Sequence, residues 1–156
     1  MNKYECYLTC PRGLENILSQ EISEIINKKN IIDNGGVKFN GTKKDIYKLN
    51  YHSRVGMNLL IKLFDGSANN IDELYQLIYQ YKWETLIPTN KTFSIRTKIN
   101  SKIIPKQNFT TLKIKDAIVD KIQKQMGSRP SVDKKSPHFY ITVYIKNNKI
   151  SIFINS

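Results

Sequence analysis

The sequence predicts an α+β protein in two parts, a βαββαβ segment over residues 1–65 and an α/β segment over residues 66–156. Three observations predict it. Apolar residues alternate with period 2 in some stretches and recur with helical spacing in others. Pro, Gly and Asn punctuate those stretches. The charge balance also changes near residue 65: residues 1–65 hold 10 basic and 7 acidic side chains, net +3, and residues 66–156 hold 15 and 6, net +9.

In the first part, Tyr4, Cys6 and Leu8 alternate with Glu5, Tyr7 and Thr9, which predicts a strand. Pro11 sits where a first helical turn accepts it, and Leu14, Ile17, Leu18, Ile22 and Ile25 form one helical stripe. Lys28 and Lys29 follow, where cations suit a helix end. Ile31-Ile32 and Val37–Phe39 predict two short strands around an Asn34-Gly35-Gly36 turn. Thr42 with Asp45 three residues on is a capping-box signal, opening a helix that buries Ile46 and Leu49. Met57–Phe64 predicts the closing strand. The βαββαβ order is the ferredoxin-like pattern.

Asp65-Gly66-Ser67 suits a turn and marks the predicted boundary. Asn70 with Glu73 predicts a second cap, and Leu74, Leu77, Ile78 and Tyr81 a helix that ends near Trp83, before Pro88. Phe93, Ile95, Thr97 and Ile99 alternate with Ser94, Arg96, Lys98 and Asn100, so the strand buries one face and turns Arg96 and Lys98 the other way. A loop at residues 101–107 leads to a helix from about Thr110 to Met126, with Ile114, Ala117, Ile118, Ile122 and Met126 inward and Gly127 ending it. Phe139–Ile145 and Lys149–Ile154 predict a hairpin turning at Asn147-Asn148.

The chain carries 25 Lys and Arg against 13 Asp and Glu, net +12 with pI ≈ 9.7, which favours an anionic partner, above all nucleic acid. No acidic residue lies between Glu84 and Asp116, where Lys91, Arg96, Lys98, Lys102, Lys106, Lys113 and Lys115 all fall. Arg96 and Lys98, with Lys102 and Lys106 in the following loop, are positioned to track a phosphate backbone. Tyr140 and Tyr144 either stack on bases or pack under a covering helix. No apolar run reaches the length of a membrane span, and no signal-peptide core follows Met1. Cys6 and Cys10 read as reduced thiols of a cytoplasmic chain. With only His52 and His138 beside them, a four-ligand zinc site is not expected. No P-loop, Gly-rich dinucleotide loop or nucleophile elbow is present. Asp116 and Asp120 stand one helical turn apart, but Lys113, Lys121 and Lys124 flank them and a solvated face explains the spacing.

Five segments resemble a known family. Leu8-Thr9-Cys10-Pro11-Arg12-Gly13-Leu14-Glu15, Gly35-Gly36-Val37-Lys38-Phe39-Asn40-Gly41 and Asn50-Tyr51-His52-Ser53-Arg54 resemble the start of bacterial THUMP-containing RNA methyltransferases. Lys115-Asp116-Ala117-Ile118-Val119-Asp120 and Arg129-Pro130-Ser131-Val132-Asp133 are similar to the large-subunit ribosomal RNA guanine-N2 methyltransferase branch, also labelled N6-adenine-specific DNA methylase.

The resemblance implies a ferredoxin-like domain over 1–65 and an RNA-binding THUMP domain over 66–156. It further implies a Rossmann-like catalytic domain, beyond Ser156 and in cis, that uses S-adenosylmethionine. It assigns RNA contacts to the second half, where the candidate residues are Arg96, Lys98, Lys102, Lys106, Lys113, Lys115 and Arg129. The implied partner is ribosomal RNA ahead of transfer RNA. No cofactor and no catalytic residue are expected within the chain itself. Other readings are a transfer-RNA-binding module, a basic protein-interaction domain and, more weakly, a DNA-binding one. Cys10, where the family commonly has a small residue, and the Asn155-Ser156 ending depart from the family pattern.

Overall fold

A computed structural model describes residues 2–105 and 108–156. The chain divides into two compact units, the first formed by 1–62 with 154–156 and the second by 63–153.

In the first unit, β1 (Tyr4–Thr9) pairs antiparallel with both β3 (Gly36–Gly41) and β4 (Leu59–Ser67). Outside β3 lies β2 (Asn30–Asp33), so the order is β2-β3-β1-β4, and helices α1 (Glu15–Ile26) and α2 (Lys43–His52) complete the βαββαβ unit. The α1 stripe is Leu18, Ile22 and Ile26, at i, i+4 and i+8. It packs with Cys6, Leu8, Val37, Phe39, Ile46, Leu49 and Leu59 into one apolar core.

Three expectations shift here. Helix α1 starts at Glu15 rather than at Pro11, because Pro11–Leu14 closes its own turn and Gly13 takes φ 95°. Ile17 faces out, 54% exposed, since it is a quarter-turn off the buried stripe. Met57 is exposed too, and the closing strand begins two residues later at Leu59.

The family-like segments have local structural jobs. The Glu15 carboxylate accepts from the Gly13 and Gly35 N–H groups at 2.8 and 3.1 Å, tying the loop after β1 to the β2–β3 turn. Its own backbone N–H, with those of Gly35 and Gly13, holds its pKa below the usual carboxylate range. Thr42 and Asp45 form the expected capping box. Glu21 accepts from the Arg54 and Val55 N–H groups and the Ser53 hydroxyl, fixing the chain after α2. Ser156 donates its N–H to the Leu59 carbonyl at 3.0 Å and bonds Asn50 through its hydroxyl.

The second unit takes in Leu63–Ser67 of β4, α3 (Ile71–Tyr79), a single 3-10 turn (Trp83–Thr85), β5 (Thr92–Asn100), α4 (Asn108–Met126), β6 (Ser131–Val132), β7 (Phe139–Lys146) and most of β8 (Lys149–Asn155). Its strand order is β4-β8-β7-β5-β6, and β4 and β8 each contribute residues to both units. Strands β5 and β7 are parallel from Phe93↔Phe139 to Asn100↔Lys146. A parallel neighbour needs a crossover, and the 19-residue α4 supplies it.

Asn70 caps α3 by accepting from the Glu73 N–H at 2.8 Å. Asn147 turns the β7–β8 hairpin at φ 55°, and Gly127 follows α4 at φ 76°. Trp83 is fully buried and donates its indole N–H to the Ile78 carbonyl.

Two readings are corrected in this unit, and one strand is added. Asp65-Gly66-Ser67 is not a turn but the end of β4. A Cβ at Gly66 would stand 2.4 Å from Leu77 Cδ1, so the glycine marks close approach of α3 to the strand. Met126 is 58% exposed, because the buried stripe of α4 ends one turn earlier at Ile122. Strand β6 was not predicted: two residues are too few to show periodicity, and it exists only through parallel pairing with Thr92 and Phe93.

Candidate nucleic-acid interface

A strand alternates its side chains, so the β5–β7 pair has two chemically different faces. One is apolar: Phe93, Ile141, Val143 and Ile145 are buried, and Thr97 on this side bonds Thr111 of α4 at 2.8 Å between hydroxyl oxygens. Helix α4 therefore covers this face. The other face carries Ser94, Arg96, Lys98 and Asn100 from β5, which register against Tyr140, Thr142, Tyr144 and Lys146 of β7. Not one of these eight residues is acidic.

Arg96 and Lys98 are exposed, as the alternation predicted. The Arg96 guanidinium lies over the Tyr140 ring, 4.9 Å from its centroid, a cation–π contact. Tyr144 behaves differently. It is half-buried, packs edge-on against Phe153 at 5.5 Å, and burial raises its phenol pKa. Of the two tyrosines weighed for stacking, Tyr140 is engaged by a cation and Tyr144 belongs to the packing beneath.

The structure separates the remaining candidates. Lys102 is exposed in the loop after β5, on the exit from the Arg96–Lys98 strand. Lys106 lies outside the described residues. Lys113 and Lys115 are on α4, the helix that covers the opposite face. The Lys113 ammonium sits 5.2 Å over the Tyr75 ring, and Lys115 pairs with Asp116 at 3.3 Å. Arg129 is exposed beyond the end of α4 and donates to Gln123 Oε1 at 3.0 Å. Lys146 is a residue the sequence reading did not select. It is exposed opposite Asn100, and continuing the period-2 alternation two places past Tyr144 would have found it.

Other reactive groups are structural. Cys6 is buried in the first core, and burial, reinforced by the Asp45 carboxylate, pushes its thiol up to about 12. Burial and Glu15 also raise Cys10. Neither is the thiolate that a metal or a substrate needs. Asp120 accepts from the Tyr75 hydroxyl at 2.6 Å, which together with burial pushes that phenol up to about 12. Asp116 and Asp120 thus serve ion pairing and helix packing rather than acid–base chemistry. His138 bonds Thr92 through Nδ1, at 2.9 Å from the hydroxyl oxygen. Among the described residues, no group of three His, Cys, Asp or Glu is placed to hold a metal, and no helix is long and apolar enough to cross a membrane.

Comparison with known proteins yields two family matches and several relatives. The THUMP domain model matches residues 68–155, and the RlmL ferredoxin-like domain model matches residues 5–57. A ribosomal RNA large subunit methyltransferase K/L of Pseudoalteromonas atlantica is 31% identical over 153 residues, covering 97% of this chain and 22% of the relative. The chain thus spans about a fifth of the length of the curated relatives it matches. Among solved structures, a protein of Listeria monocytogenes described as a predicted N6-adenine-specific DNA methylase aligns with TM-score 0.84 at 22% identity, over 99% of this chain and 40% of that one. A 4-thiouridine synthetase solved in complex with RNA aligns with TM-score 0.61 at 16% identity, over 98% of this chain and 41% of that one.

Proposed function

This chain belongs to the THUMP domain family, and from that premise we propose that it is an RNA-capturing module. It holds structured RNA, 23S ribosomal RNA in first place, for an S-adenosylmethionine-dependent guanine-N2 methyltransferase domain that lies outside these 156 residues. The observation that carries the reading is the β5–β7 face: Arg96, Lys98 and Lys146 on a pair of strands that contain no acidic residue, continued by Lys102. Fixed cations on a rigid sheet neutralise phosphates at low entropic cost, and the counterions released supply affinity that does not depend on sequence. The relative solved with RNA shares this fold, and the K/L relatives are named for ribosomal RNA methylation. Both support the choice of ligand. The K/L match covers only a fifth of the relative, which leaves room for the catalytic step elsewhere in the longer protein.

The position of the candidates on opposite faces supplies the test. Arg96→Gln/Lys98→Gln should weaken binding of a 23S ribosomal RNA fragment by about tenfold in fluorescence anisotropy, since two phosphate contacts are lost. Lys113→Gln/Lys115→Gln on α4 should change it less than about twofold. With Arg96, Lys98, Lys102 and Lys146 all engaged, log affinity should fall against log salt with a slope of about −2.8 to −3.6. Equal losses from both pairs would remove the β5–β7 face from the interface. Transfer RNA competing as well as the fragment would remove the ribosomal preference.

A further inference from the structure

The first unit has a surface that the cap, the core and the β5–β7 face do not use. Helix α2 buries Asp45, Ile46 and Leu49, and its remaining side chains are exposed. At 100° per residue, Lys44, Tyr47, Lys48 and Tyr51 fall at i, i+3, i+4 and i+7, the line opposite the buried edge. Tyr47 is 73% exposed and Tyr51 86%. Lys43 and His52 flank this line, and both are exposed.

Two tyrosines presented so fully on one helical line are unusual, because a phenol ring ordinarily buries its flat faces against neighbours. Tyr51 has an edge-on contact with His52 at 4.9 Å, which leaves most of the ring free. The charge around them is one-sided. The helix's single acidic residue, Asp45, is turned inward and bonded to Lys28 and Thr42. On the α1 side, Glu21 is committed to the Ser53, Arg54 and Val55 groups. Glu24 shares an open cleft with Lys48, His52 and Arg54, and so sets the acidic limit of the patch.

We propose that the outward face of α2 is a platform for a single-stranded RNA segment, with unpaired bases stacked on Tyr47 and Tyr51 and the flanking phosphates neutralised by Lys43, Lys44 and Lys48. The occupant follows from the chemistry. Exposed aromatic rings interleaved with lysines are what a strand of alternating π-faces and phosphates requires. A paired stem does not fit, because its bases are already stacked and offer no free face. Their backbone positions are about 6 Å apart along the helix axis, roughly one turn, so each ring takes its own base. This proposal rests on the reading that the protein binds RNA, but not on the β5–β7 face, since it concerns the first unit alone.

The experiment uses the full 156-residue chain and a fluorescein-labelled, unstructured 12-nucleotide RNA, read by anisotropy. Tyr47→Ala/Tyr51→Ala should weaken binding by about tenfold or more, as two stacking contacts are lost. Tyr47→Phe/Tyr51→Phe should stay within about twofold of the parent, because the ring and not the hydroxyl is used. Both pairs are exposed, and circular dichroism should show unchanged helix content. In a parallel arm, 4-thiouridine in the same RNA should crosslink to the peptide holding Tyr47 and Tyr51. An alanine pair that binds like the parent overturns the proposal, as does a phenylalanine pair as weak as the alanine pair. A parent chain that sediments as a dimer, and as a monomer in the alanine variant, would also overturn it by placing a second copy on this face. If Arg96→Gln/Lys98→Gln loses affinity while the tyrosine variants do not, the β5–β7 reading stands and this one falls. The reverse pattern retains the α2 platform and removes the other.

Discussion

At the scale of single residues, Asp45 shows how one carboxylate organises a helix end. It is nearly buried, accepts from the Thr42 N–H and hydroxyl at 2.8 and 2.9 Å, and pairs with Lys28. Burial alone would raise its pKa, but the Lys28 ammonium and the Thr42 donors outweigh burial and hold it below the usual carboxylate range. The sign of the pH dependence follows. A lowered folded-state pKa gives stability that is complete above the unfolded carboxylate's ordinary value and is lost as pH falls through the lowered one. Asp45→Asn should therefore cost about 1–2 kcal/mol at pH 7 by urea denaturation. The gap between variant and parent should narrow as the solution is acidified below the ordinary carboxylate range. A gap that stays constant down to the acid limit would contradict the charge-based account. The Thr-x-x-Asp spacing made the cap legible in the sequence, but the Lys28 pairing brings together residues 17 apart and needed the fold.

At the scale of elements, two glycines report how closely strands are approached. In β3, a Cβ on Gly36 would lie 2.6 Å from the Leu8 carbonyl oxygen and 2.7 Å from the Tyr7 ring, so backbone would have to move. In β4, the three atoms nearest a Cβ on Gly66 all belong to the Leu77 side chain, whose tip can rotate. Gly36→Ala should therefore cost about 3 kcal/mol and Gly66→Ala about 1 kcal/mol in chemical denaturation. Adding Leu77→Ala should cancel the steric part of the Gly66→Ala cost, visible as a coupling in a double-mutant cycle. Equal losses at the two glycines would mean that β1 yields as easily as a leucine tip. The sequence showed a glycine beside a charge step and predicted a turn there. The strand runs on through it in the sheet beside β8, and α3 packs so closely over it that only glycine fits without a shift, which tertiary packing alone discloses.

At the scale of the whole molecule, the net charge of +12 falls on two units that differ in kind. The first puts Lys43, Lys44 and Lys48 and two exposed tyrosines on α2, and the second puts Arg96, Lys98 and Lys146 on a sheet face. Neither shows a Gly-rich loop of the sort that cradles a dinucleotide or nucleotide cofactor. Isothermal titration of the 156-residue chain with S-adenosylmethionine should show no binding at micromolar cofactor. Heat that fits a micromolar site would place cofactor chemistry within this chain and overturn the division of labour proposed above.

Local patterns determined much of this protein without help. The alternation in residues 92–100 and 139–145, the helical stripes, the two caps and the Asn147-Asn148 turn are short-range, and steric and hydrogen-bonding rules act on neighbours in sequence. The exposure of Arg96 and Lys98 followed from period 2 alone. Tertiary structure decided which patterns meet. Helix α4 could lie on either face of β5, and the parallel crossover onto β7 placed it over Thr97, leaving Arg96 and Lys98 exposed on the other side and carrying Lys113 and Lys115 away from them. A basic stretch continuous in sequence is thus divided in space, because a sheet has two faces and a helix can cover only one.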